Sequence, residues 1–369
     1  MEIVPYSPTH REAIARMNEK LAAAGSQWQF PAEDRLQQAD ALPIWNESFV
    51  AVDGGEVYGG YILKHQQFFV DGRPGEVGNL QLPLSLGQVD GALARVSAAL
   101  LIDVLRRSPR CYSLGLGSEE TQFAKLLGAA GWEHTAVPFY FSVKSGNRFA
   151  RNIRLGADRR RLQIALRALG RLRLAGAALR LREAVRSRAA PRPPRRASAG
   201  VEEVPRFDPS VDELFAAHAG SYSLLGDRRA AALNVFFPEG ERRYIRLMVR
   251  EAGRTVGWAL VLDTQMHDDK YFGDMRVGAL VDCFSAVADA PDVVAAADGF
   301  FARRGVDVVV SNQFHPAWCD ALQKAGYQRG PSNFFFYYSA DLAEMLSDVP
   351  DWLQRVHMNR GDAEGPTHL

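Results

Sequence analysis

Polar side chains that could bind a ligand or move a proton follow a short apolar segment late in the chain. Residues 306–310 are mostly valine, as expected of a buried strand, and Asn312, Gln313 and His315 come directly after them. Folds with α/β character place ligand contacts at the carboxyl ends of their strands, so these three side chains are candidates for a binding site. In the local alternative, Asn312 caps the loop and His315 only begins the next helix.

A carboxylate on a second predicted strand, Asp282, is the natural partner for His315. Residues 275–284 form that strand, and neighbouring strand ends would bring the two side chains together. An aspartate beside an imidazole can act as an acid/base pair. This hypothesis requires that the two groups lie within reach of a hydrogen bond or of one bridging water.

The elements that position these residues occur twice. Residues 305–339 read as strand, loop, helix, glycine turn and aromatic strand, and residues 111–143 repeat that order. The turn glycines Gly131 and Gly326 are 195 positions apart, and the upstream hairpin glycines Gly55 and Gly253 are 198 positions apart. Such a constant offset over a long interval indicates a duplicated domain rather than a short-period repeat.

Composition sets the broad class. A chain of 369 residues is long enough for two domains, and its 47% hydrophobic and 24% charged residues are ordinary for a globular protein. The net charge of +1 gives no general attraction to nucleic acid. The three distant cysteines favour neither a disulfide framework nor a metal site, and no apolar signal core or membrane span is evident. We therefore expect a cytoplasmic protein without a metal.

Residues 144–196 differ from the rest, because they carry 16 arginines against only Asp158 and Glu183, with a seam of leucines. One interpretation is an interdomain helical arm whose leucines pack on one domain. The other is a basic amphipathic segment on an anionic membrane surface. Nucleic acid is disfavoured because aromatic residues for stacking are nearly absent from the segment. Residues 191–199 are predicted to be a linker.

This order of elements resembles the GNAT superfamily of N-acetyltransferases. It occurs twice, each time with a glycine-aromatic turn before the last strand. The tandem arrangement with a helical arm also looks like the FemAB-type double-GNAT proteins. The segments SNQFHPAW and GPSNF and the terminal residues 357–366 resemble a bacterial double-GNAT group associated with exopolysaccharide and exosortase systems. The resemblance implies a mixed α/β (α+β) sheet in each of two GNAT-like domains, at 1–143 and 200–345. A basic arm and linker would span 144–199, and a tail 346–369.

This resemblance implies an acyl-CoA site where the central strand leads into a helix, with backbone amides facing the pyrophosphate. The family signature is [QR]-x-x-G-x-[GA]. Gln88 and Gly91 match it, Ala92 lies within it, and Leu93 departs from it. The corresponding residues 285–294 contain no glycine. Acetyl-CoA or another acyl-CoA is therefore expected in the first half, with an ordinary helix cap as the alternative.

The resemblance also implies a carboxylate base on the fourth strand and a tyrosine acid near the last strands. Glu76 and Asp282 are the nearest carboxylates, and Tyr140 is a candidate acid. The tail is either a disordered end or a segment that folds into the cleft, with Arg360 and Asp362 as substrate contacts beside the polar residues after the 306–310 strand.

The expected function is thus transfer of an acyl group, in the first instance acetyl from acetyl-CoA, to the amine of a small molecule. By resemblance, that acceptor is an amino sugar or a precursor of extracellular polysaccharide. Two alternatives stay open. One is FemAB-like aminoacyl transfer from tRNA, and the other is a degenerate GNAT pair that acts as a scaffold at the membrane. The sequence leaves open which half is active.

Overall fold

Two mixed β-sheets flanked by helices make up the protein, which is described from a computed structural model. The structure describes residues 1–32, 42–117, 120–155, 160–179, 181 and 199–363. Both sheets combine parallel and antiparallel strand pairs, as the sequence predicts.

The first half and the arm contribute these elements: β1 (Glu2–Pro5), α1 (Arg11–Ala23), β2 (Ile44–Asp53), β3 (Glu56–Val70), β4 (Arg73–Ser85), α2 (Ala94–Arg107), β5 (Cys111–Leu116), α3 (Gln122–Ala129), β6 (Glu133–Ala136), β7 (Phe139–Val143), α4 (Gly146–Asn152) and α5 (Arg160–Arg171). The second half contributes β8 (Ala199–Val204), α6 (Ser210–His218), β9 (Leu224–Gly226), α7 (Ala230–Phe236), β10 (Ile245–Glu251), β11 (Arg254–Gln265), β12 (Arg276–Ser285), α8 (Ala290–Arg304), β13 (Val308–Asn312), α9 (Pro316–Ala325), β14 (Gln328–Gly330), β15 (Phe334–Tyr338), α10 (Ala340–Leu346) and β16 (Val356–His357).

The two sheets repeat one strand order. The first runs β1-β2-β3-β4-β5-β15-β6, and the second runs β8-β10-β11-β12-β13-β7-β14. Helices α8 and α9 end at Gly305 and Gly326, whose φ angles of 69° and 96° are accessible to glycine at little cost. The predicted helix end at Gly326 is therefore confirmed, and the duplication inferred from glycine spacing is visible in the topology.

The aromatic strand that closes each repeat lies in the sheet of the other half. Strand β7 pairs antiparallel with β13, with Phe141 opposite Val310, and β15 pairs antiparallel with β5, with Phe336 opposite Leu114. The expectation that the strand ending at Val143 closes the first half is therefore wrong. Both closing strands carry an aromatic face, so hydrophobic pattern alone does not decide which sheet each one joins.

Each sheet opens a gap between its two central parallel strands. Strands β4 and β5 pair only at Gly78–Cys111 and Asn79–Tyr112. Strands β12 and β13 pair over four positions, the last being Leu280–Ser311. Beyond these points the strands separate toward their carboxyl ends. The fold thus places two equivalent gaps, one per sheet, where α/β folds hold ligands.

Helices α4 and α5 form the described part of the arm. Gly170 of α5 lies against Asn147 and Arg151 of α4. The side chains of the predicted leucine seam are largely exposed rather than packed on a sheet, at 51% for Leu162 and 68% for Leu172. None of the described helices is both long and apolar enough to cross a bilayer. Contact with a membrane surface stays a prediction, and most of the predicted linker (191–198) lies outside the described residues.

We expect that the first half, expressed alone as residues 1–143, does not fold cooperatively, because its sheet lacks β15. All five residues of β15 are buried, and each large apolar side chain contributes about 1.5–3 kcal/mol when buried. Their loss rivals the whole stability of a domain, about 5–15 kcal/mol. Urea unfolding followed by circular dichroism is the measurement.

The matched control fuses residues 333–346 to the end of residues 1–138 through a glycine-serine linker. This version supplies β15 and should regain a sigmoidal unfolding transition. A cooperative transition in 1–143 itself would contradict the importance of the exchanged strand.

Candidate active site

A cavity of about 480 Å³ occupies the gap between β4 and β5. Its walls are mostly apolar, and the described residues that line it are Trp28, Leu80, Gln81, Leu82, Pro83, Leu84, Gln88, Ser113, Leu114, Gly115, Gly117, Thr121, Gln122, Phe123, Leu262, Val281, Phe334, Tyr337, Arg360 and Ala363. Residues from both halves thus contribute to one site in the first sheet.

Strand β4 bulges at the wall of this cavity. Gly60 pairs with Leu84 and Ile62 pairs with Gln81, so β4 has one residue more than β3 over this stretch. Leu82 lies in the bulge with a φ of 43°, a left-handed conformation that is costly for leucine. Bulges redirect the backbone next to functional sites. This bulge interrupts the regular pairing of β4 with β3 beside the cavity.

The inner end of the gap, where the strands separate, holds the carboxyl-terminal tail by its backbone. The carbonyl of Asp362 accepts hydrogen bonds from Asn79 Nδ2 and Tyr112 Oη, each at 2.8 Å, and from Lys64 Nζ at 3.1 Å. The next carbonyl, of Ala363, accepts from Lys64 Nζ at 3.0 Å and from Gln81 Nε2 at 3.2 Å. Every donor in this set is buried and belongs to the first sheet.

The same tail fills the gap of the second sheet. The amide of Phe314 donates to the Met358 carbonyl at 3.0 Å, and Gln313 forms a β-bridge with Asn359. A Cβ on Gly361 would lie 2.8 Å from Asp282 Oδ2, so only glycine fits this close approach. The tail is therefore folded into the cleft as far as Ala363, and residues 364–369 lie outside the described part.

A buried arginine joins the tail to the second sheet. Arg228 Nη2 donates to Asp362 Oδ1 at 2.6 Å, and its Nε lies 3.0 Å from Asp282 Oδ2. All three side chains are buried. Burial raises the pKa of Asp282 to about 6, against the attraction of Arg228. This triad holds the tail between the two gaps.

The two members of the predicted acid/base pair make their described hydrogen bonds to other groups. The oxygens of Asp282 are engaged by Arg228, by Asn359 Nδ2 at 2.8 Å and by its neighbouring amide. His315 Nδ1 accepts from the Ala317 amide at 3.2 Å as the cap of α9, and its ring packs edge-on against another aromatic residue. Burial lowers the pKa of His315 to about 4. Among the described residues no hydrogen bond links Asp282 to His315, so the local interpretation of His315 as a helix cap is the one observed.

Two other catalytic candidates lie away from the cavity. Glu76 is exposed near the start of β4, before the point at which the strands separate. Tyr140 is buried in the second sheet, where its hydroxyl accepts from Gln323 Nε2 at 2.9 Å. Tyr140 lies away from the cavity because the strand exchange removes β7 from the first sheet. Tyr337, on the incoming strand β15, lines the cavity instead.

The four predicted substrate contacts are divided between the filled second gap and the open cavity. Asn312 Oδ1 accepts from Arg360 Nε at 2.8 Å, and Gln313 Nε2 donates to Ser311 Oγ at 3.2 Å. The side chains of Asn312 and Gln313 are therefore engaged in the filled second gap. Asp362 is buried against Arg228. Of the four predicted substrate contacts, Arg360 alone lines the open cavity.

The predicted cofactor loop lies at the outer end of the cavity. Gln88 lines it and donates to the Pro83 carbonyl at 2.8 Å. Gly91 lines an adjoining cavity of about 320 Å³, which shares Gln88 with the first. The amide of Ala92, however, donates to the Asp90 carboxylate at 2.9 Å. The carboxylate therefore already occupies one amide that the family resemblance assigns to a phosphate.

Three residues central to this site were not predicted from the sequence. Lys64, Asn79 and Arg228 are buried polar groups that hold the tail. Lys64 stands inside an apolar strand segment, which is the one visible signal, since a buried lysine usually has a specific partner. The partner lies about 300 residues away along the chain, so the sequence alone does not identify it.

Solved structures with the GNAT fold are similar to the chain. A GCN5-related N-acetyltransferase from Anabaena variabilis aligns with 11% identity and a TM-score of 0.51, over 91% of this chain and 72% of that one. A tandem GNAT protein from the clavulanic acid biosynthesis pathway aligns with 12% identity and a TM-score of 0.50, over 91% of this chain and 97% of that one. The glucosamine N-acetyltransferase region of a fungal β-N-acetylglucosaminidase aligns with 14% identity and a TM-score of 0.52, over 91% of this chain and 38% of that one.

No protein-family model matches the sequence, and no curated protein is significantly similar to it. The structural similarities establish the fold: two mixed α/β sheets of the GNAT type in one chain, as the sequence predicts. A FemAB-like character and a link to exopolysaccharide systems stay predictions.

We expect Arg228→Met to cost about 3–5 kcal/mol of the free energy of unfolding, because it leaves two buried carboxylates without their cation. Arg304→Met, which removes an exposed pair with Glu203, should cost less than about 1 kcal/mol. Urea unfolding of both variants is the measurement. Adding Asp282→Asn to Arg228→Met should recover part of the loss, and equal costs at Arg228 and Arg304 would refute this role for the triad.

Proposed function

We propose that the protein is an acyl-CoA-dependent N-acyltransferase whose cofactor binds in the gap of the first sheet. One observation carries the proposal. Of the two equivalent gaps, the β4–β5 gap contains an open cavity of about 480 Å³, whereas the β12–β13 gap is filled by the chain's own tail. The duplication therefore leaves one gap accessible to a ligand.

The open gap suits an extended ligand that contains amides, as the pantetheine arm of coenzyme A does. Beyond Asn79 and Tyr112 no described ladder bond joins β4 to β5, so the facing edges present unpaired backbone groups. Apolar walls from Leu82, Leu114 and Phe123 cover the methylene groups of such an arm. Gln88 and Gly91, at the outer end, remain the candidates for contact with the phosphates.

Acyl transfer forms a bond between the amine nitrogen and the thioester carbonyl carbon, and breaks the bond from that carbon to sulfur. The amine loses a proton and the departing thiolate gains one. On this proposal, Tyr337 takes the acid role first assigned to Tyr140, since it is the tyrosine of the exchanged strands that lines the cavity. Gln81, beside the Ala363 carbonyl, would orient the reacting groups at the inner end.

The finer assignment is an acetyl group and a small amine acceptor. The similar structures include N-acetyltransferases, one of them for glucosamine, so an acceptor screen begins with amino sugars. Exopolysaccharide precursors carry the same kind of amine. A tRNA donor gains no support from the cavity, because its described lining includes a single cation for a polyanionic ligand.

Calorimetric titration with acetyl-CoA tests the proposal. A side chain at Gly91 would meet no described atom within 4 Å, so Gly91→Glu should leave the fold intact while it places a negative charge beside the phosphates. We expect wild-type protein to bind and Gly91→Glu to bind at least about tenfold more weakly, a change of about 1.4 kcal/mol. Gly115→Phe, which fills the cavity from β5, should abolish binding.

Gly240→Glu is the matched control, since it adds the same charge at an open, exposed position of the second half. It should bind acetyl-CoA as the wild type does. Absence of binding to the wild type at millimolar ligand, or equal binding by Gly115→Phe, would contradict the proposal.

A further inference from the structure

We propose that Arg360 binds a carboxylate of the ligand in the first cavity, so that the protein takes an acyl donor or an amine acceptor that carries a carboxylate near its reacting group. The inference deepens the proposed function and rests on it for what the ligand does there. It starts from a contrast between Arg360, which is partly exposed, and the buried arginines Arg228 and Arg246.

Arg360 is the one charged side chain among the described residues that line the cavity. Its Nε donates to Asn312 Oδ1 at 2.8 Å, and the terminal nitrogens of its guanidinium have no hydrogen-bond partner among the described residues. The surrounding walls are mostly apolar. A cation is therefore presented to an apolar cavity without a counter-charge from the described chain.

The buried arginines Arg228 and Arg246 have partners for the terminal nitrogens of their guanidinium groups. Arg228 lies between Asp282 and Asp362, and Arg246 donates to the carbonyls of Phe237, Pro238 and Tyr244. Arg360 has neither arrangement. Burial lowers its pKa to about 10, so it keeps its charge at neutral pH. A planar guanidinium with two open donors matches a carboxylate in a bidentate geometry.

The position of Arg360 is fixed by its neighbours on both sides. Asn359 Nδ2 donates to Asp282 in the second gap and Gly361 packs against the same side chain, while the carbonyls of Asp362 and Ala363 accept hydrogen bonds at the inner end of the first gap. We infer from these contacts that the guanidinium lies near the inner end of the cavity, where the tail meets the first sheet. A ligand carboxylate there would sit beside the reacting end of the thioester.

Two sources of this carboxylate share the same chemistry. One is the far end of a dicarboxylic acyl group on coenzyme A, and the other is the carboxylate of an amino-acid acceptor. Both would pair with Arg360 and leave the remaining ligand against apolar walls. The test first establishes the carboxylate site and then separates the sources.

The first arm compares hexanoate with hexanamide, two small probes of equal length, by calorimetric titration of the full chain. We expect wild-type protein to bind hexanoate at least tenfold more tightly, and Arg360→Met to lose this preference while it binds hexanamide unchanged. Arg360→Lys should retain part of it. Arg355→Met is the matched control, because Arg355 lies in the same tail but pairs with Asp71 on the surface, and this variant should behave as wild type.

Equal affinity of wild-type protein for the two probes would overturn the inference, as would a preference that survives in Arg360→Met. Unchanged binding of hexanamide shows that the variant is folded at the cavity. The same titrations are repeated with the Glu364→Gln substitution in every variant. This removes the next acidic side chain in the sequence, which would compete with hexanoate for Arg360.

The second arm identifies the source with matched pairs. Succinyl-CoA against butyryl-CoA varies the carboxylate on the donor, and leucine against leucinamide, with acetyl-CoA as donor, varies it on the acceptor. An Arg360-dependent preference in either pair supports the inference and names the source, whereas acyl-CoA binding without such a preference in either pair refutes it. If hexanoate is preferred but no acyl-CoA binds, the proposed function fails while the carboxylate site stands.

Discussion

The buried contact of Arg228 with Asp282 and Asp362 is the interaction on which the rest of the site depends. Buried charges are stable only when they are paired and hydrogen-bonded, so the three side chains must stay together. Asp282 belongs to a central strand of the second sheet and Asp362 belongs to the tail, which makes their common cation a clamp. Once the tail is clamped, its next two carbonyls lie against Lys64 and the first sheet.

This clamp explains how a duplicated fold comes to have one open gap. The two halves offer equivalent gaps, and the tail lies in the second while it completes the inner wall of the first. The exchange of β7 and β15 also joins the halves, since each sheet contains a strand from the other half. The second half thereby supports the cavity, while its own gap at β12–β13 holds the described part of the tail. Neither half alone therefore contains the complete site.

Much of the fold is predictable from sequence because it depends on local patterns. Gly326 ends a helix, β-branched and aromatic runs form strands, and both patterns recur at a constant offset. The exchange of strands is not predictable in this way, since β7 and β15 have similar aromatic faces and the hydrophobic pattern does not distinguish them. At the site, Arg360 was within reach of prediction because the tail resembled a known motif. The pairing of Asp282 with Arg228 instead of His315 depends on the inserted tail, a contact between distant segments that no local pattern encodes.

The central claim is that coenzyme A binds in the gap of the first sheet while the tail remains in the gap of the second. A crystal structure of the protein grown with acetyl-CoA tests it most directly. The account predicts density for the pantetheine arm between β4 and β5, with Gly361 still packed on Asp282. Density for the ligand between β12 and β13, with the tail displaced, would contradict it.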